Sequence, residues 1–231
     1  MYICNTIKDA TMPKTKQAPK RESDRIESEL RRLILTLELE PGLAISEANL
    51  MKQYNWGRTP LREAFQRLAE QSLLQIIPRH GVVVTPLSVF DFVEVMDAMS
   101  MVISPAAALA CKRLTEADLD QLDAFVNQGE SAAAAADYET VADLDYKFHR
   151  ELADATGNRF LRDYLLHLHR VATRFNFAAW KRDGDALASI EEHRHLIELL
   201  RQRNNDEVGA LMLTHIEGAR QRVMGTIPTS A

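Results

Sequence analysis

Apolar residues recur every three or four positions through most of this chain, the spacing of a helix that buries one face. The first such stretch is Ile26, Leu30, Leu33, Ile34 and Leu37, and Pro41-Gly42 stops it. A short helix is predicted from about Ser46 to Tyr54, with Ser46 as N-cap. A third begins near Thr59-Pro60, where proline suits the first helical turn, and runs through Leu61, Ala64, Phe65 and Leu68 to about Gln71. The pattern then changes. In LLQIIPRHGVVVT two short β-branched runs flank Pro78-Arg79-His80-Gly81, which reads as a hairpin. Thr85-Pro86-Leu87-Ser88 reads as a linker, and helical periodicity returns after it. Six segments fall near 89–111, 115–131, 137–156, 158–181, 185–203 and 205–224, broken at Thr115, Gly157-Asn158, Gly184 and Asn204-Asn205.

The predicted fold class is therefore mainly α. Three helices and a hairpin make an N-terminal winged helix-turn-helix over residues 22–86. Six helices without strands make a C-terminal all-α bundle over 87–231. Residues 1–21 are polar, with Pro13, Pro19 and four lysines, and are expected to form a disordered arm.

Composition adds boundaries to this picture. A hydrophobic fraction of 46% allows a well-buried core. No apolar run approaches the roughly 18–20 residues of a membrane span, and the N-terminus lacks a signal-peptide core. The expectation is a cytoplasmic protein with no membrane partner. Cys4 and Cys111 are isolated, which argues against a disulfide framework or a thiolate metal site. The net charge of −5 conceals an asymmetry. Residues 1–86 hold 13 Lys/Arg against 10 Asp/Glu, and residues 87–231 hold 15 against 23. A basic end on an acidic body fits nucleic-acid binding at that end.

The DNA-reading chemistry is expected at the start of the third helix, in Gly57-Arg58-Thr59-Pro60-Leu61-Arg62. In a winged helix-turn-helix these turns enter the major groove. Arg58 and Arg62 are four apart and share a face, so their guanidinium groups can take guanine edges or clamp phosphates. Thr59 can add a phosphate contact. Arg79, His80 and Gly81 form the hairpin tip, from which Arg79 and His80 could reach the adjacent backbone or minor groove.

In the second half, Asp145 and His149 sit four apart in LDYKFH, one turn apart on a helix face. His193 shares a face with Leu196, Ile197 and Leu200, and His215 with Val208, Leu211, Met212 and Ala219, so both are predicted to point inward. His195 falls on the polar side. His167 and His169 flank the stripe Leu161, Leu165, Leu168 and are assigned to ordinary surface or core roles. Three imidazoles and a carboxylate could hold one divalent ion with a position left open. Zn²⁺ is the default, and Ni²⁺, Mn²⁺ or Fe²⁺ also suit the set. The other reading of these four residues is a buried polar network in which Asp145 holds His149 by a hydrogen bond.

The segment GRTPLREAFQRLAEQSLLQIIPRHGVVV resembles the GntR-family signature, and LELEPGLAISEANLMKQY resembles that family's approach to it. DYKFHRELADATGNRFLRDYL, EEHRHLIELL and the later THI resemble the FCD-type effector domain and its Asp and His positions. The resemblance covers nearly all of residues 25–224, and six helices rather than seven suggest the shorter, VanR-like branch. Gly57 stands where Ser or Thr usually precedes the helix arginine, and MDAMSMVISPAAALA lacks the Arg and Glu that many members carry near Met99–Ile103. The resemblance implies a homodimeric transcriptional regulator that binds double-stranded operator DNA and responds to a small anionic, carboxylate-type effector at a metal-containing pocket. Two other readings remain: a metal-dependent hydrolase or lyase, since such a site can activate water, and a regulator for which the metal itself is the signal.

Overall fold

The computed structural model describes residues 21–79, 81–184 and 186–226. The predicted arm, apart from Arg21, and His80 at the hairpin tip lie outside them.

The N-terminal unit is built from α1 (Glu22–Leu35), β1 (Ala44–Ile45), α2 (Glu47–Tyr54), α3 (Arg58–Glu70), β2 (Leu74–Ile77) and β3 (Gly81–Val84). Its core is the apolar face read from the sequence: Ile26, Leu30 and Ile34 of α1 meet Leu61, Phe65 and Leu68 of α3 and Val82 and Val84 of β3. Ser46 caps α2, its hydroxyl accepting from the Asn49 N–H at 3.3 Å. β2 and β3 form the expected antiparallel hairpin, with Leu74 opposite Val84 and Ile77 opposite Gly81. β1 was not expected. Its two residues pair with Val82 and Val83, so β3 is the central strand. Two residues are too few to show a period-2 pattern. The wing turn needs positive φ at Arg79 (66°) and Gly81 (95°), which glycine adopts without a Cβ penalty.

The C-terminal unit holds α4 (Val89–Cys111), α5 (Glu116–Ala134), α6 (Tyr138–Ala155), α7 (Arg159–Asp183), α8 (Leu187–Arg201) and α9 (Asn205–Thr226). Capping side chains set most of their starts: Thr115 for α5, Asp137 for α6 and Asn158 for α7. The helices surround one core that includes Phe92, Met96, Ile103, Phe148, Leu196 and Met212. α4 packs along α9, and Gly209 permits the approach: a Cβ there would stand 2.6 Å from Ser104 Oγ and 3.1 Å from its carbonyl oxygen.

α4 corrects one expectation. At 23 residues with a mean hydropathy of 1.5 it is long and apolar enough, by length and composition, to cross a membrane. Asp91, Glu94 and Asp97 interrupt the run near its start, but no charge follows until Lys112. Its inner face, with Phe92, Met96, Met99, Ile103 and Ala107, is core. Phe90 and Met101 stand outward, 82% and 80% exposed.

The two units meet along α7. The Arg32 guanidinium of α1 reaches Glu139 of α6 at 2.8 Å. Arg174 of α7 donates to the Thr85 carbonyl in the linker at 2.6 Å. Arg174 is only 2% exposed and its Nε has no hydrogen-bond partner. Burial pushes its pKa down to about 10.

Phe65 is 1% exposed at the centre of the winged unit. Phe65→Ala should cost about 3–5 kcal/mol, as large aromatic truncations in tight cores do. Chemical denaturation followed by a probe in residues 22–84 should show the transition moving to lower denaturant.

Candidate functional site

Arg58 and Thr59 open α3 and are exposed. Gly57, the N-cap, supplies no capping side chain, and no acidic residue lies in the first turn of α3, a helix start that suits a phosphate. Arg62 also lies on the outer face but is not free. Its Nε contacts both Glu47 carboxylate oxygens, at 3.1 and 3.0 Å, across from α2. Among the described residues Arg58 has no ion pair. Arg58 therefore presents an uncompensated charge, while Arg62 must leave or share Glu47 to take a second anion. Arg79 and Gly81 are exposed on the wing.

In the C-terminal unit Asp145 and His149 of α6, His193 of α8 and His215 of α9 converge, each at most 8% exposed. His149 Nε2 and His193 Nε2 lie 3.7 and 3.9 Å from Asp145 Oδ1. The His193 ring is 5.0 Å from that of His149 and 4.8 Å from that of His215, centroid to centroid. Phe148 stacks on His193 at 4.2 Å and fixes its plane. His195 is exposed, as its phase predicted.

His169 corrects the sequence reading. It is buried at 5%, and its Nε2 lies 3.2 Å from Asp145 Oδ2. Its ring is 4.2 Å from His149. The apolar stripe of α7 runs through Leu161, Leu165 and Leu168, and His169 flanks it. Leu165, His169 and Thr173 are spaced by four and all point inward, a signal the sequence carried. His167 is half-buried outside the cluster.

Glu192 was also missed. It lies on α8 next to His193, and its carboxylate accepts from His215 Nδ1 at 2.6 Å and from Arg222 at 2.9 and 3.1 Å. An Nδ1–H donated to Glu192 leaves the lone pair of His215 on Nε2, facing the cluster. The partner helix α9 supplies both contacts, so sequence spacing on α8 could not reveal them.

Electrostatics agree with ligand character. Burial first, and then the neighbouring His215, holds His193 at a pKa of about 3, and burial likewise drives His149 well below the ordinary value. Burial alone would raise the Asp145 pKa, but contacts with His169, His149 and His193 hold it below the usual carboxylate range. Glu192, lowered to about 2, follows the same pattern through His215 and Arg222. Neutral imidazoles around an ionised carboxylate are the protonation states a divalent ion requires. Two buried atoms in this cluster, Asp145 Oδ2 and His193 Nε2, lack any hydrogen-bond partner. The set fits a metal ion on donor chemistry and on these orphaned atoms.

A cavity of about 30 Å³ adjoins the cluster, lined by Met99, Ile103, Leu165 and Met212, with His149 and His169 among its walls.

Comparison with known proteins decides the family. Residues 22–84 match the model of bacterial regulatory proteins of the gntR family, and residues 94–218 match the FCD domain. The chain belongs to the GntR family and carries an FCD effector domain. It is 30% identical to the Nta operon transcriptional regulator of Aminobacter aminovorans, over 80% of this chain and 86% of that one. It is 25% identical to the transcriptional repressor RspR of Escherichia coli, over 84% and 85%. The fold is similar to that of E. coli McbR/YncC, with a TM-score of 0.79 at 19% identity over 90% and 99% of the two chains. This GntR/FCD protein is a DNA-binding transcriptional regulator, and its relatives are regulators rather than enzymes.

Two outcomes follow for the DNA face. Arg58→Ala should weaken operator binding by about 10–100-fold, equivalent to about 1–3 kcal/mol for one lost base contact, without changing the melting temperature. Glu47→Gln should raise affinity for duplex DNA, because it frees Arg62 and removes a negative charge from the docking face. Fluorescence anisotropy over a salt series checks both, and a flat salt dependence would refute the assigned face.

Proposed function

We propose that this GntR/FCD regulator is a homodimer whose operator affinity is set by a small carboxylate effector, anchored at a divalent ion held by Asp145, His149, His193 and His215. The observation that carries the reading is a buried donor cluster, with unpartnered Asp145 and His193 atoms, opening on an apolar cavity. When bound, the ion supplies positive charge and an acceptor position for an anion. The chain's own residues do the rest. Glu192 and Arg222 fix the His215 tautomer, and Phe148 holds the His193 plane. The cavity wall excludes water and admits a small apolar tail. In its closed form it has room for roughly one or two water-sized groups, so a larger effector requires the helices to part.

α7 offers the path to the DNA-binding unit. It lines the cavity with Leu165 and His169, and one and a half turns later Arg174 holds the linker carbonyl of Thr85. A shift of α7 when the cavity fills would move the linker and the winged unit with it. Dimerisation is assigned to the effector domain, where Phe90 and Met101 occupy one outer face of α4. Two winged units placed about one helical turn apart then supply the operator affinity that a single module lacks. A regulator that senses the metal itself uses the same residues and differs in the test.

Calorimetric titration of small carboxylates into metal-loaded and metal-stripped protein tests the reading. Binding is expected in the loaded form alone. Equal affinity in the two would leave the metal as a structural staple. Operator release by metal without any carboxylate would favour direct metal sensing.

Removing the metal should lower the melting temperature of wild type and leave His193→Ala nearly unchanged, because an ion bound only to the folded state stabilises it by mass action. His195→Ala should behave as wild type. Without metal, stability should fall with acid. The folded-state pKa of His193, about 3, lies below its unfolded value near 6.5. The unfolded chain therefore binds the extra proton, and the stabilisation present above about 6.5 is lost as pH falls towards 3. Melting temperatures of the stripped protein across pH 7 to 4 measure this.

A further inference from the structure

We infer that His169 is itself a metal ligand, binding through Nε2 alongside Asp145 and His149. This rests on the proposal that the cluster holds a divalent ion, and it extends the set beyond the four residues that the sequence pattern supplied.

The argument begins with one hydroxyl. Thr173 is completely buried, so no water partner is at hand. Its Oγ1 lies 2.9 Å from the His169 carbonyl oxygen and 3.2 Å from His169 Nδ1. A carbonyl oxygen can only accept, so the single Thr173 proton goes to the shorter of these contacts. Oγ1 then accepts from Nδ1–H, and the lone pair of the neutral ring is left on Nε2. A ligating histidine oriented by its other ring nitrogen has this arrangement.

The lone pair meets Asp145. Nε2 and Oδ2 are 3.2 Å apart, yet Oδ2 has no hydrogen bond. Nε2 in this tautomer carries no proton to share, and two lone pairs 3.2 Å apart repel unless a cation lies between them. A shared proton needs donor, proton and acceptor nearly in line. A shared metal ion does not. Two donors each roughly 2.0–2.2 Å from one ion, at angles between square and tetrahedral, stand roughly 2.9–3.4 Å apart with their lone pairs aimed off the line joining them. The 3.2 Å spacing fits the second case. Asp145, His149 and His169 also form a triad whose ligand atoms lie within 4.8 Å of one another.

The consequence is chemical. Four imidazoles and one carboxylate exceed the tetrahedral set that Zn²⁺ favours and suit ions that accept six donors, such as Ni²⁺ or Fe²⁺. Fewer positions remain for an outside ligand, so an anion would bind through one oxygen rather than chelate.

The test uses the full-length protein with Ni²⁺ and Zn²⁺ as probes. Ni²⁺ affinity by chelator competition should fall at least about 10-fold in His169→Ala. Thr173→Val, which keeps the volume and removes the acceptor for Nδ1–H, should weaken Ni²⁺ by a smaller factor. His167→Ala should match wild type. X-ray absorption of Ni²⁺-loaded protein should report one imidazole fewer in His169→Ala than in wild type. Circular dichroism confirms that each variant is folded, and His169→Gln replaces the alanine variant if it is not. Equal Ni²⁺ affinity and an unchanged imidazole count in the His169 variant would overturn the inference. Metal binding abolished by His193→Ala but untouched at His169 would overturn it while leaving the four-residue site standing. No binding by wild type would overturn both.

Discussion

The Asp145 carboxylate is the constraint around which the C-terminal unit is arranged. It is 8% exposed and lies within 4 Å of three imidazoles. A buried charge is costly unless it is paired. Here each partner comes from a different turn or helix: His149 from α6 itself, His169 from α7 and His193 from α8. His215 of α9 completes the ring and is tied outward to Glu192 and Arg222. Three helices must therefore be in register around one carboxylate, and α9 closes the ring through His215. Anything that changes its partners, an ion above all, bears on the packing of all four.

α7 carries that dependence outward. The same helix supplies His169 and Thr173 to the cluster, walls to the cavity and Arg174 to the linker. Arg174 is a buried cation, and among the described residues it has no acidic partner. It is held to the linker by a hydrogen bond to a carbonyl rather than by an ion pair. A single helix that reaches from the cluster to the linker is suited to turning a local packing change into a change of domain placement.

The DNA face follows a separate logic. The winged unit has its own core, and its candidate DNA-contacting residues are exposed rather than buried. Glu47 sets a limit on it. By holding Arg62, it leaves Arg58 as the free cation of the pair at the start of α3.

Helical spacing and turn residues alone determined the element order, because 3.6-residue periodicity, Pro41-Gly42, Thr115 and Asn158 act locally. Phase alone placed Asp145, His149, His193 and His215 inward. The strand β1 was not legible, since two residues carry no period and exist only by pairing with β3. His169 was misjudged because one apolar stripe was used to orient a 25-residue helix that is buried on more than one side. Glu192, Arg222 and the Arg62–Glu47 pair were not legible for another reason. Each contact joins two helices, and its distance depends on how those helices cross, which no spacing within one helix contains. The sequence by itself determined the element order and the inward face of most helices, though not of α7 at His169. Only the tertiary structure decided which inward residues meet, because that follows from packing between elements distant in the chain.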